Sequence, residues 1–278
     1  MGKKETKAKG RPLGQHFLFD RGVLEHISDA AELQGEDNVL EVGPGLGTLT
    51  RVLSEHAGRV VAVELDEGLR ERFAERTQGC GNVELVNADI LKVDLNDLWL
   101  TRFGGKPFKV VANLPYYITT PIIMRFMESG LPVASLTVMV QKEVADRLAS
   151  KPGSRDYGAI SVAVQYRASV RRAFIVPAGA FSPPPRVDSA VLAITLLGKP
   201  AVEVKDEAMF FTVVRGCFSQ RRKTLRNNLS ALLNVPGDEA AQIIQSVDLN
   251  PQARAETLGL DQFAALADRL TVSGRRVQ

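Results

Sequence analysis

Three groups of residues in this chain have the types and spacing needed to hold a nucleoside. The first is Glu41-Val42-Gly43-Pro44-Gly45-Leu46-Gly47, a glycine loop entered from the apolar run Val39-Leu40-Glu41-Val42. Its glycines let the backbone turn tightly and approach a ligand closely. The second is Glu64 with Leu65, at the end of the next β-rich run, Arg59 to Glu64. A carboxylate at that point accepts both hydroxyls of a ribose. The third is Asp89 with Ile90, after Val83 to Val86. There a carboxylate can accept from the exocyclic amine of an adenine while the isoleucine supplies an apolar face. The spacing Gly-x-Gly-x-Gly differs from the Gly-x-Gly-x-x-Gly of dinucleotide folds, yet NAD, FAD and S-adenosylmethionine enzymes all use loops of this kind. Two plainer readings stay open: a tight turn with no ligand, and Asp89 as a helix cap.

These residues need a scaffold that delivers them to one edge. Val39–Val42, Arg59–Glu64, Val83–Val86, Lys109–Ala112 and Leu136–Val140 read as strands, and Thr48–His56 and Gly68–Arg76 as helices between them. Such alternation predicts a parallel sheet covered by helices on both faces. Val170–Val176 and Ala190–Leu196 are separated by a proline-rich loop, Phe181–Val187, and predict an antiparallel pair closing the sheet. Gly198-Lys199-Pro200 reads as a linker. Beyond it Ala208–Cys217, Gln220–Leu233, Glu239–Val247 and Leu260–Leu270 read as helices, with Ser219 and Asp238 as N-caps. The expected organisation is a basic tail over 1–11, an α/β domain over 12–199 and a small all-helical domain over 200–278.

Composition narrows the chemistry. The chain has 278 residues, 45% hydrophobic and 24% charged, values of a globular protein. Cys80 and Cys217 are its only cysteines, which excludes a disulfide scaffold and a Cys-x-x-Cys metal or redox site. His16, His26 and His56 form no His-Glu-x-x-His pattern, so no metal is expected. The longest charge-free run, Val110–Met124, is too short to span a bilayer. The first eleven residues lack the apolar core of a secretory signal, and the expected setting is a reducing cytoplasm. Charge is uneven: residues 1–11 carry net +4, and Arg215–Arg226 holds five bases and no acid. Two basic clusters on a near-neutral body fit a polyanionic partner, or simply a solvated tail and helix face.

The specific signal follows the fourth strand. Asn113-Leu114-Pro115-Tyr116 resembles the (Asn/Asp/Ser)-Pro-Pro-(Tyr/Phe) signature of methyltransferases that act on exocyclic amino groups. In its Asn-Leu-Pro-Tyr form it is similar to that of the rRNA adenine N6-dimethyltransferases. By that resemblance the Asn113 side-chain oxygen and the Leu114 carbonyl accept the two hydrogens of adenine N6, and Tyr116 stacks on the base. Other segments extend the likeness along almost the whole chain. Gly14-Gln15-His16-Phe17-Leu18 resembles the family's N-terminal cofactor motif, which often has Asn in place of His16, and assigns His16 and Leu18 to the cofactor. Asn113 is assigned there too. Gln141-Lys142-Glu143-Val144-Ala145 is similar to the family's segment after the fifth strand. Phe181-Ser-Pro-Pro-Pro-Arg-Val-Asp-Ser189 resembles the loop whose phenylalanine packs on the target adenine, so Phe181 is expected to face Tyr116 across the base. Phe218–Arg226 resembles the basic C-terminal segment, making Arg221, Arg222, Lys223 and Arg226 candidate RNA contacts on a helix starting near Ser219; Arg254–Leu258 resembles the late region.

The whole set looks like the bacterial small-subunit (16S) branch of that family. The resemblance implies a Rossmann-like class I S-adenosylmethionine-dependent methyltransferase, with a seven-stranded, mostly parallel sheet and a helical C-terminal domain. It also implies dimethylation of two adjacent adenosines near the 3′ end of 16S rRNA, in a small-subunit assembly intermediate, by a monomer with no membrane partner. Three other readings compete with it. A resistance methyltransferase of large-subunit rRNA more often carries Asn-Ile-Pro-Tyr. A non-catalytic assembly or transcription factor would show an eroded tetrapeptide or glycine loop. An NAD-dependent oxidoreductase would need a catalytic His or a Tyr-x-x-x-Lys.

Overall fold

The computed structural model describes residues 16–273. The basic tail and Gly14-Gln15 lie outside the described residues. The α/β part contains β1 (Phe17–Leu18), α1 (Arg21–Ala30), β2 (Asn38–Val42), α2 (Thr48–His56), β3 (Arg59–Glu64), α3 (Arg70–Arg76) and β4 (Val83–Asn87). It continues through α4 (Leu95–Phe103), β5 (Phe108–Asn113), α5 (Thr119–Met127), β6 (Val133–Gln141), α6 (Lys142–Leu148) and α7 (Ala159–Arg167). It ends with β7 (Ala168–Val176), β8 (Phe181–Ser182) and β9 (Ser189–Leu196).

Seven strands form one sheet in the order β4-β3-β2-β5-β6-β9-β7. The first five run parallel, and β9 lies antiparallel between β6 and β7. The expected antiparallel pair is therefore present, with β9 inside the sheet and β7 at its edge. Alternate residues of the central strands face two separate apolar layers. Leu40, Val42, Val61, Val63, Val110 and Ala112 pack with Ile122 and Phe126 of α5. Val39, Val60 and Val111 pack on the other side with Ile27 of α1 and Leu53 of α2. Burial on both faces is why these strands read as continuous valine-rich runs.

From β2 the chain moves outward to β3 and β4, then returns to β5 on the other side of β2. This reversal opens a crevice at the carboxyl ends of β2 and β5, where α/β sheets hold ligands. β1 and β8 form a separate two-stranded ladder, Phe17 opposite Ser182 and Leu18 opposite Phe181. Thr48 Oγ1 donates to the Leu18 carbonyl at 3.0 Å, fastening this ladder to α2.

The C-terminal part holds α8 (Glu207–Cys217), α9 (Leu225–Leu233), α10 (Gly237–Gln245) and α11 (Leu260–Val272). Phe210, Val214, Leu229, Ile244, Phe263 and Leu266 form its core, together with Tyr157 and, from α7, Val162 and Tyr166. Packing thus crosses the boundary expected at residues 199–200. α9 corrects the sequence-based expectation: it starts at Leu225, capped by Thr224, and not at Ser219. Residues 219–223 form a turn. Buried Asn228 holds that turn by donating to the carbonyls of Cys217 and Gln220 at 2.7 and 3.2 Å. Arg221, Arg222 and Lys223 bring no apolar side chain to the core, and Leu225 is the first residue that does. The Asp238 cap is corrected as well, since Pro236 precedes α10 and Asp238 sits in its first turn.

Candidate active site

The glycine loop leaves β2 with Gly43, Gly45 and Gly47 at φ of 66°, 57° and 79°, conformations that side chains with a Cβ rarely adopt. At Gly45 the reason is also steric, because a Cβ would stand 3.2 Å from the Phe17 ring. Glu64 locks the loop to the end of β3. Its Oε2 accepts from the Gly45 amide at 3.0 Å and its Oε1 from the Asp66 amide at 2.9 Å. The Glu64 carbonyl in turn accepts from Asn87 Nδ2 and from the Ala88 amide, each at 2.9 Å, which sets the end of β4.

Asp89 follows. Its Oδ1 accepts from the Leu91 amide at 2.9 Å and its Oδ2 lies 3.4 Å from Lys92 Nζ. Asp89 therefore holds a local turn at the cavity and is not a helix cap, since the next helix, α4, is capped by Asp94. Asn113 is the last residue of β5, opposite Met139 of β6, and the Leu114 amide donates to the Met139 carbonyl at 3.1 Å. The Asn113 side chain makes no hydrogen bond among the described residues. Tyr116 is half-buried, and its hydroxyl lies 2.7 Å from Ser189 Oγ. Burial raises its phenol above the ordinary value, with the Ser189 bond acting the other way.

One cavity of about 250 Å³ gathers these residues. His16, Leu18, Gly43, Gly45, Glu64, Leu65, Asp89, Ile90, Asn113, Leu114, Tyr116 and Phe181 all line it. Arg221, Arg222, Lys223 and Arg226 do not; the first three are exposed on the turn before α9. Arg226 is tied back, its Nη2 3.0 Å from Asp238 Oδ1 and its guanidinium over Gly237, where a Cβ would meet it at 2.8 Å. Arg222 and Arg226 therefore do not share a helix face.

Phe181 also departs from expectation. It is 5% exposed and packs with Leu18 and Leu24 in the layer beneath the cavity. The β1–β8 ladder turns it inward opposite Leu18, so it forms wall and not a free platform. The ring beside Tyr116 is His16, with centroids 6.1 Å apart and planes at 27°. His16 Nδ1 is held 2.7 Å from the Pro183 carbonyl.

Two site residues are not singled out by sequence reasoning. Glu41 lines the cavity at 1% exposure, and its Oε2 is buried without a partner. Burial pushes its carboxyl to about 8, reinforced by the Glu64 charge; Thr50 pulls the other way, although its hydroxyl makes no hydrogen bond of ordinary geometry. The signal in the sequence is an acid inside an otherwise apolar strand. Ser189, fully buried at the start of β9, is the second. In the sequence it is only the last residue of the proline-rich segment, with nothing to mark its hydroxyl.

A mostly parallel seven-stranded sheet with one reversed strand, carrying an acid-lined cavity at its switch point, defines the class: a Rossmann-like, class I S-adenosylmethionine-dependent methyltransferase. Within that class, residues 6–271 match the model of the ribosomal RNA adenine dimethylase family, and the chain belongs to that family. It is 46% identical over 266 residues to the ribosomal RNA small subunit methyltransferase A of Bacillus cereus (strain AH187), covering 94% of this chain and 91% of the relative. The corresponding protein of Bacillus anthracis (strain A0248) matches equally. Among solved structures, a dimethyladenosine transferase from Plasmodium falciparum superposes with a TM-score of 0.78 at 25% identity, over 95% of this chain and 100% of that one. The 23S rRNA methyltransferase ErmE superposes with a TM-score of 0.70 at 27% identity, over 92% and 99%.

Proposed function

We propose that this protein transfers methyl groups from S-adenosylmethionine to N6 of two adjacent adenosines near the 3′ end of 16S rRNA, giving N6,N6-dimethyladenosine in a small-subunit assembly intermediate. The observation that carries the reading is the meeting of Asn113, Leu114 and Tyr116 with Glu64, Asp89 and the glycine loop around one cavity.

The residues present fit the cofactor. Glu64 would take its ribose hydroxyls, and Asp89 with Ile90 its adenine. Gly43 and Gly45 allow close approach, with His16, Leu18 and Leu65 completing the walls. The unpartnered Glu41 Oε2 is an acceptor placed for a cationic group. When bound, S-adenosylmethionine supplies a methyl group on a sulfonium sulfur, a carbon ready for attack.

The chain's own contribution is to make a poor nucleophile attack. The lone pair of adenine N6 is delocalised into the ring. Asn113, with a side chain free of other bonds, accepts one N6 hydrogen and the Leu114 carbonyl accepts the other, which aims the lone pair at the methyl carbon. Tyr116 stacks on the base and Phe181 closes the apolar wall. Stacking offsets the few kcal/mol needed to extrude a base. Rate enhancement comes mainly from positioning, and no strong base is required.

The test is mass analysis of small-subunit rRNA from a strain lacking the protein. Paired dimethyladenosines should be missing, and restored by the wild-type chain. Asn113→Ala should bind the particle yet fail to restore them; normal methylation by that variant overturns the assigned orientation of N6. Loss of a methyl group from 23S rRNA instead would assign the large-subunit substrate.

A further inference from the structure

Tyr117 is the most exposed aromatic ring among the described residues, at 64% of its surface, and it lines the same cavity as Tyr116. Its hydroxyl makes no hydrogen bond there, and its ring contacts no other aromatic ring. The exposure does not come from a frayed segment. The Ile118 amide donates to the Pro115 carbonyl at 3.1 Å and Thr119 Oγ1 to the same carbonyl at 3.2 Å. Ile118 then packs into the layer with α5. The turn between β5 and α5 is thus fixed on both sides of Tyr117. The two consecutive tyrosines are used differently: the hydroxyl of Tyr116 is anchored to Ser189, whereas the ring of Tyr117 is left to solvent at the rim.

We propose that Tyr117 is the platform on which the base next to the target adenine stacks, so that the enzyme holds two consecutive bases of the strand. This rests on the function proposed above. A strand that inserts one base into the cavity carries its next base to the rim, one backbone repeat away. What stands at that rim is a flat, uncharged face, the surface that single-stranded bases use. Such a platform accepts any base, so it orders the strand without reading its sequence. It lets the neighbour wait at the rim while the target occupies the cavity.

The experiment is a cycle between protein and RNA. Small-subunit particles are reconstituted with a synthetic rRNA 3′ segment, intact or with an abasic nucleotide on the 5′ or 3′ side of a target adenosine. Wild type, Tyr117→Ala and Tyr117→Phe are compared in binding. Tyr117→Ala should weaken binding of the intact particle by about 5- to 150-fold, the equivalent of about 1–3 kcal/mol for one stacked base. Tyr117→Phe should bind as wild type. On one of the two abasic particles the difference between wild type and Tyr117→Ala should vanish, and the affinity for S-adenosylmethionine should be the same in all three proteins. An equal loss on intact and both abasic particles, or no loss at all, overturns the proposal. So does a parallel fall in cofactor affinity, which would make the ring part of the cofactor wall. The readout is binding and not methyl transfer, so failure of the Asn113→Ala test would reject the reaction without being mistaken for this outcome.

Discussion

Each oxygen of Glu64 already accepts one backbone amide, from Gly45 and from Asp66, so the carboxylate proposed to take the ribose hydroxyls cannot swing away. Glu64→Ala leaves those hydroxyls and two loop amides short of an acceptor. Cofactor affinity should fall by roughly 1–3 kcal/mol, read by calorimetric titration; unchanged affinity would remove Glu64 from the site. Glu41 shows the opposite arrangement, a carboxyl held at about 8 against an ordinary value of 4.5. The folded chain keeps a proton that the unfolded chain gives up, so its contribution to stability is complete below pH 4.5 and declines as pH rises towards 8. Glu41→Gln has no such proton to keep. Its melting temperature should fall less than that of wild type across that window, and parallel melting curves at every pH would contradict the burial argument. A residue that weakens the fold near neutral pH is best understood through a ligand that needs it.

At the scale of elements, the reversed strand β9 and the separate β1–β8 ladder do more than complete the fold. β9 starts with Ser189, whose neighbours Gln141 of β6 and Val176 of β7 pair it on both sides. A hydroxyl fixed in this way holds the Tyr116 ring from the far side of the crevice, while β8 and the Pro183 carbonyl hold His16 against its face. Ser189→Ala and Tyr116→Phe remove the same bond. Each should lower kcat/KM for methyl transfer by roughly the 1 kcal/mol of one hydrogen bond, about fivefold. The double variant should lose no more than either single one, because the bond can be broken only once. Additive losses would show that the two groups act separately. Cofactor affinity should be unaffected in all three.

Across the whole molecule, the cavity and the exposed basic turn lie on different parts. The cavity sits at the sheet edge of the α/β part, and Arg221, Arg222 and Lys223 are exposed on the turn between α8 and α9. A turn offers three adjacent cations to a phosphate backbone without the one-face restriction of a helix. Replacing all three with alanine should weaken binding to the rRNA particle and flatten its salt dependence by about 0.7–0.9 log units for each phosphate no longer neutralised. Cofactor binding should remain intact. Normal binding at every salt concentration would reduce this turn to an ordinary solvated surface. Arg226→Ala should change that slope less, because its guanidinium already faces Asp238 and Gly237.

Local chemistry is legible in the sequence alone. The glycine loop, Glu64, Asp89 and Asn113–Tyr116 each follow an apolar run, and a parallel strand delivers its last residue to one edge of the sheet whatever packs around it. The unbroken apolar run Val39-Leu40 with Val42 likewise fits a strand buried on both faces. Contacts between distant segments are decided only by the tertiary structure. Tyr116 meets Ser189 across 73 positions of sequence, and Phe181 turns into the wall because Leu18 of a separate strand pairs with it. The start of α9 depends on Asn228 claiming the Gln220 carbonyl and Thr224 the Asn227 amide, groups that a helix from Ser219 would have used. Glu41 depends on burial, since a carboxyl in solvent and a carboxyl without a partner at 1% exposure share one letter and differ only in what surrounds them. Periodicity and spacing act within a segment, whereas burial and long-range pairing belong to the folded chain.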